Sequence, residues 1–181
     1  MEEKKTKNIR LIGIISDTHD NIYLIDEAVK KLNAIGVDLI LHAGDYVSPF
    51  TIRHFKPLKA KLIGVFGNNC AEWNLLANRL KEIGGDPRGF FAEIPVDGLK
   101  IALLHGHDGE LLQSVIATGA YDVVVYGHTH EVKVERIGRT LVINPGEVCG
   151  YLSGRRTMAI LNSQSLEVEI IEIPIQKSLE I

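Results

Sequence analysis

Residues 122–130 read DVVVYGHTH. Three valines followed by a tyrosine form an apolar run that belongs to a buried strand. The run ends at Gly127, and the chain at once presents two imidazoles, His128 and His130, across a single threonine. In extended backbone, residues i and i+2 point to the same side. The spacing therefore predicts that both rings aim at one point where the strand leaves the core.

The same unit, a buried strand ending in ligand-type side chains, recurs upstream. RLIGIISD (10–17) ends in Asp17, with His19 two residues on. VDLILHAGD (37–45) ends in Gly44-Asp45, AKLIGVFGN (60–68) in Gly67-Asn68, and KIALLHGH (100–107) in His105 and His107. Between the runs lie helical patterns. NIYLIDEAVKKLNAIG (21–36) has apolar residues at 24, 25, 28, 29, 32 and 35 and a glycine stop; AEWNLLANRLKEIGG (71–85) and GELLQSVIATG (109–119) read the same way. Alternating strand and helix predicts parallel strands joined by crossover helices. The carboxyl ends of such strands share one edge of the sheet, where ligands bind.

The last third changes character. EVKVERIG and RTLVINPG alternate at period two around Gly138-Arg139, and RRTMAILNSQSLEVEIIEI (155–173) gives a second hairpin around Asn162–Ser165. The expected fold is α/β: a mostly parallel sheet flanked by helices, with antiparallel strands that form or join a second sheet. A single domain is expected over 1–181, with 1–9 and 174–181 as loose termini and PIQKSLEI as a frayed end or a homo-oligomer contact.

Composition limits the function. The chain has 181 residues, 45% apolar and 24% charged, as a soluble globular protein does. Its formal charge of −3, without a basic stripe, argues against nucleic acid as the principal partner. LIGII is too short for a membrane span or a signal-peptide core, so no membrane partner is expected. Cys70 and Cys149 do not make a disulfide framework, which points to a reducing cytoplasm.

Five of the seven histidines fall in the strand-end pairs. A lone histidine after a strand is more often structural than a ligand, and GD or GN alone signals only a turn. No packing requirement, however, repeats acids and imidazoles at the same end of successive strands. Gly44, Gly67, Gly106 and Gly127 adjoin these residues, where a missing Cβ allows close backbone approach. A donor set of imidazole, carboxylate and carboxamide, without thiolate, favours Mn²⁺, Fe²⁺, Zn²⁺ or Ni²⁺ over Ca²⁺. So few carboxylates among so many imidazoles suggest that one bridges two ions. A pair of ions acidifies a bridging water to hydroxide and clamps the oxygens of an in-line displacement at phosphorus. His42, inside the second strand, is expected to hydrogen-bond a ligand's surroundings. His54 reads as surface. INPGEVCG (143–150) reads either as a simple turn or as a loop packed against the His128/His130 turn.

With these residues in hand, the sequence resembles the calcineurin-like metallophosphoesterase superfamily, and within it the small prokaryotic phosphodiesterases. The similarity runs from GIISDTHDN through INPG. The ordered set Asp-x-His, Gly-Asp, Gly-Asn, His, Gly-His-x-His is specific in combination. The resemblance implies two packed mixed β-sheets flanked by helices, a four-layer α/β/β/α sandwich. It implies a metal-dependent hydrolase of small phosphoesters, most readily diesters, with two divalent transition-metal ions per chain, Mn²⁺ foremost. It assigns one ion to Asp17, His19, Asp45 and His130, and a second to Asp45, Asn68, His105 and His128, with Asp45 shared. Asn144-Pro145-Gly146 matches a supporting loop beside the site. Many members follow Gly-Asn with a histidine that serves as general acid; here Asn69 stands there and cannot donate a proton in that way. Asn69 and His107 are accordingly the candidates near the leaving group or phosphate, His107 as acid or as substrate-orienting imidazole. A phosphomonoesterase, or a non-catalytic scaffold of the same fold, are the competing readings; scaffolds typically lose site histidines, and this chain keeps a competent ligand at all seven positions.

Overall fold

The computed structural model describes residues 10–174. The expected loose termini therefore lie outside the described residues, apart from Pro174. Strands β1 (Leu11–Ile15), β2 (Leu39–His42), β3 (Lys61–Gly64) and the two-residue β4 (Asp86–Pro87) run parallel. They are joined in turn by α1 (Ile22–Ile35), a 3₁₀ segment (Pro49–Phe55) and α2 (Trp73–Glu82). β5 (Phe91–Val96) and β6 (Leu99–Leu104) form a hairpin, and α3 (Gly109–Ala117) crosses to β7 (Val123–Val125), parallel to β6. β8 (Val132–Ile137) and β9 (Thr140–Pro145) form the next hairpin, with β9 parallel to β7. β10 (Thr157–Asn162) and β11 (Val168–Glu172) return to β1, against which β10 runs antiparallel.

Two mixed sheets result, ordered β11-β10-β1-β2-β3-β4 and β5-β6-β7-β9-β8. Period-two alternation sorts the strand residues into layers. Ile12, Ile14, Leu39, Leu41 and Ile63 of the first sheet meet Ile94, Ile101, Leu103, Val123, Val125, Leu141 and Ile143 of the second in a core between the sheets. The opposite faces hold Ile15, Ile40 and Leu62 against α1, the 3₁₀ segment and α2, and Ala102, Leu104, Val124 and Val142 against α3. The central strands of each sheet are thus covered on both faces, which is why they read as continuous apolar runs, whereas the edge strands β5, β8 and β11 keep exposed positions.

Local signals act where expected. The Asn21 side chain caps α1 by accepting from Leu24 N at 3.3 Å, and Gly36 closes it in the left-handed region at φ 77°. A Cβ on Gly13 would stand 2.5 Å from Leu32 Cδ2, so the glycine lets α1 settle onto β1. Three features depart from the reading of residue pattern alone. The parallel strands are divided between two sheets. The two antiparallel hairpins part company, β8–β9 joining the second sheet and β10–β11 the first. The β5–β6 hairpin was not anticipated, although Asp97-Gly98, with φ of 47° and 87°, is a two-residue turn of the type that favours hairpins.

Candidate metal centre

The carboxyl ends of β1, β2, β3, β6 and β7 meet at one edge of the sandwich. The first sheet brings Asp17, His19, Asp45, Asn68 and Asn69 there; the second brings His105, His107, His128 and His130. Asp17 and Asp45 are fully buried at their centre, with His105 and His130 buried beside them. Asp17 Oδ1 lies 3.4 Å from His130 Nε2 and 3.7 Å from His19 Nε2. Asp45 Oδ2 lies 3.4 Å from His19 Nε2 and 3.3 Å from His105 Nε2. Asp17, His19 and His130, and likewise Asp17, Asp45 and His105, place their ligand atoms close enough to hold an ion.

The pairs do not converge in the way extended spacing predicts. β1, β6 and β7 end before the pairs begin, and Asp17, His19, His128 and His130 all take left-handed backbone, with φ of 53°, 38°, 66° and 61°. The turn sends His128 and His130 to different neighbours. The His130 ring lies 5.1 Å from that of His19, and the His128 ring 5.2 Å from that of His105. Such conformations cost about 1–3 kcal/mol each in non-glycine residues and persist only where surroundings impose them. The bonds that impose them run between strand ends: Asp17 N to Gly44 O at 3.0 Å, Thr18 N and His19 N to Asp45 O at 3.1 Å each, and Gly127 N to His105 O at 3.0 Å. The Asp17 carboxylate in turn accepts from His128 N at 3.1 Å.

Two glycines keep the approach open. A Cβ on Gly127 would run into Ser16 Oγ, and one on Gly67 into Asp45 Oδ1. Three buried ligand atoms, Asp17 Oδ1, His19 Nε2 and His105 Nε2, have no hydrogen-bond partner. Unmet polar atoms in a protein interior are costly. His105 Nδ1 is 2.8 Å from Ala43 O and must donate to it, which in the neutral ring leaves the lone pair on Nε2, toward Asp45. Carboxylate oxygens and imidazole lone pairs facing one another across 3.3–3.7 Å are the donor set a divalent cation satisfies.

The electrostatics agree. Burial pushes Asp45 up, but His105 and two hydrogen bonds from Asn69 outweigh it and hold the carboxyl well below the usual carboxylate range. Burial pushes His105 down, but Asp45 foremost, with Asp17 and the contact with Ala43 O, together raise it overall. His19 is raised, chiefly by the nearby Asp17 carboxylate and then by Asp45, against the effect of burial. His128 is lowered, by burial first and then by the neighbouring His105. A cation would supply the charge for which His19 and His105 otherwise recruit protons.

Asn69, a candidate near the leaving group, has its side chain engaged elsewhere. Its N–H and its amide donate to Asp45 Oδ1 and Oδ2, each at 2.8 Å. Asn68, beside it, is exposed on the same turn. His107 is exposed at the rim, its ring 5.6 Å from that of His105 and 6.3 Å from that of His128. His42 Nδ1 accepts from Gly44 N at 3.1 Å, so Nε2 donates to Thr18 Oγ1 at 3.3 Å. The ring therefore braces the backbone that carries Asp17, His19 and Asp45. His54, read as surface, is half-buried and lies 2.9 Å from Asp26 of α1. The Asn144 amide donates to Gly127 O and Thr129 Oγ1, bracing the His128/His130 turn. Glu147 escaped sequence reasoning. It is fully buried, with Oε2 2.7 Å from His130 Nδ1. A buried glutamate is rare, and only its place in INPGEVCG, next to a strand end, could have signalled it.

The comparisons point the same way. A family model described as the calcineurin-like phosphoesterase superfamily domain matches residues 11–166. The chain is 43% identical over 157 residues to "Phosphodiesterase MJ0936" of Methanocaldococcus jannaschii, covering 86% of this chain and 95% of that protein. It is 31% identical over 180 residues to a "Probable metallophosphoesterase" of Methanothermobacter thermautotrophicus, covering 93% and 97%. A solved structure described as a novel archaeal phosphodiesterase superposes with a TM-score of 0.86 at 42% identity, over 90% of this chain and 99% of that one.

Proposed function

Since the chain belongs to the calcineurin-like phosphoesterase superfamily, we propose that it is a metal-dependent phosphodiesterase acting on small phosphodiesters. Asp17, His19, Asp45 and His130 would hold one divalent ion, and Asp45, Asn68, His105 and His128 the other. One observation carries this reading. A single oxygen, Asp45 Oδ2, is 3.3–3.4 Å from unpartnered imidazole nitrogens of both His19 and His105, one from each sheet. That arrangement supports the reading of Asp45 as a shared carboxylate. When bound, the ions lower the pKa of a bound water and neutralise phosphoryl charge.

The chain's own residues supply orientation. Asn69 fixes the plane of the Asp45 carboxylate, Ala43 O fixes the His105 tautomer, and exposed His107 stands where a phosphate or leaving group would enter. The names of the relatives favour a diester over a monoester, and the imidazole, carboxylate and carboxamide donor set suits Mn²⁺, Ni²⁺, Fe²⁺ or Zn²⁺, with availability deciding among them and Mn²⁺ put first by the family resemblance. Both cysteines are free and buried, as suits a reducing cytoplasm. No helix among the described residues is long and apolar enough to cross a membrane.

The test is turnover of bis-p-nitrophenyl phosphate and p-nitrophenyl phosphate after EDTA treatment, followed by Mn²⁺ add-back. Loss and recovery of activity, larger on the diester, is the expected result. Unchanged turnover in fully demetallated protein would sink the reading.

A further inference from the structure

Glu147 lies one strand away from the ligand set, yet it is as buried as Asp17. Removing a carboxylate from water is expensive unless hydrogen bonds replace the water. Here six donors do so. Oε1 accepts from Leu152 N at 3.0 Å, Ser153 N at 2.6 Å and Ser153 Oγ at 2.7 Å. Oε2 accepts from Cys149 Sγ at 2.9 Å and Tyr151 N at 2.9 Å, and faces His130 Nδ1 at 2.7 Å.

The cage decides a proton. Backbone N–H groups can only donate, so Glu147 must act as acceptor throughout. His130 Nδ1 must then carry the hydrogen, which leaves a lone pair on Nε2, the atom 3.4 Å from Asp17 Oδ1. Without Glu147, neutral His130 could equally protonate Nε2 and turn an N–H toward the site.

We propose that Glu147 is a positioning residue that locks His130 in its metal-binding tautomer and ring orientation, and so sets the affinity of the Asp17/His19/His130 ion site. The inference rests on the metal centre proposed above. The loop Gly150–Gly154 serves as the scaffold of the cage: three successive amides, of Tyr151, Leu152 and Ser153, converge on one carboxylate.

Glu147→Gln keeps the volume and breaks the logic. A glutamine amide must direct its NH₂ either at the loop amides or at His130. The first leaves donors facing donors, and the second makes Nδ1 an acceptor. Ser153→Ala is the control, since it removes a donor from Oε1 and leaves the His130 contact on Oε2 untouched.

Two measurements test the proposal. Long-range ¹H–¹⁵N correlation on the metal-free wild type, at a pH where the ring is neutral, should show His130 protonated at Nδ1; a neutral ring protonated at Nε2 instead overturns the inference without requiring any variant. Calorimetric Co²⁺ titration should show Glu147→Gln weakening one of two sites by roughly 10- to 100-fold, the usual effect of losing such a partner, while Ser153→Ala stays near wild type. Equal affinities in wild type and Glu147→Gln, or an equal loss in Ser153→Ala, overturn it. Wild-type protein that binds no Co²⁺ instead overturns the metal centre itself, a result distinct from a wild type that binds two ions and a variant that binds them as well.

Discussion

Asn69 grips Asp45 by both carboxylate oxygens, through its backbone N–H and its side-chain amide, each at 2.8 Å. The residue that follows Gly67-Asn68 therefore serves Asp45 and has no acidic proton for a departing group. An activated hydroxide can attack phosphorus unaided, but an alkoxide leaving group needs a proton and a nitrophenolate does not. General acid catalysis is worth about 10²–10⁴-fold where it is needed. Rates on wild type should accordingly fall steeply as the leaving group becomes more basic. If exposed His107 supplies the proton, His107→Ala should depress alkyl diesters far more than nitrophenyl diesters. A series of diesters of graded leaving-group pKa, run on both proteins, checks this. Parallel slopes exclude His107 as the acid.

Among the described residues, Asp45 is the one carboxylate within 3.4 Å of imidazoles from both sheets. Asp45→Asn should lower kcat by several orders of magnitude at saturating Mn²⁺, more than His19→Ala, which in the proposed assignment would affect one ion only. Steady-state kinetics across a metal titration separate lost affinity from lost chemistry. A near wild-type kcat in Asp45→Asn at saturation contradicts the bridge.

Two glycine substitutions should divide structure from function. In Gly67→Ala the new methyl group meets Asp45 Oδ1 and lies 2.8 Å from both Asp45 N and His105 Cδ2. Overpacking of that kind costs about 1–3 kcal/mol, and here it falls on the site, so activity should be lost with it. In Gly36→Ala the methyl meets nothing within 4 Å, but the residue sits at φ 77°. The expected cost is about 1 kcal/mol of helix-end strain with turnover unchanged. Urea denaturation alongside diester turnover measures both.

Much of this was legible in the chain. The i, i+3, i+4 spacing located the three helices, and apolar runs located the strands that carry Asp17, Asp45, His105 and His128. What periodicity could not do was divide parallel strands between two sheets, because a strand covered on both faces reads the same in either. Nor could it supply the left-handed turns: Asp17 and His130 reach one another through backbone that abandons the strand, not through strand alternation. Glu147 was hidden for a different reason. Five of its six donors come from residues that announce no charge, and a lone glutamate in a turn looks like solvent-exposed surface.

The site is assembled from both plates of the sandwich, with Asp45 reaching from one and His105 from the other. A divalent ion held by that pair would be a rivet through two plates that are already joined by aliphatic packing and by a few hydrogen bonds, such as His105 to Ala43 O and His128 N to Asp17. Its binding free energy then counts toward cohesion of the whole fold, so the melting temperature climbs with free metal concentration. Heat resistance and catalytic competence would draw on the same few atoms, and metal starvation would loosen the molecule at the edge where it works.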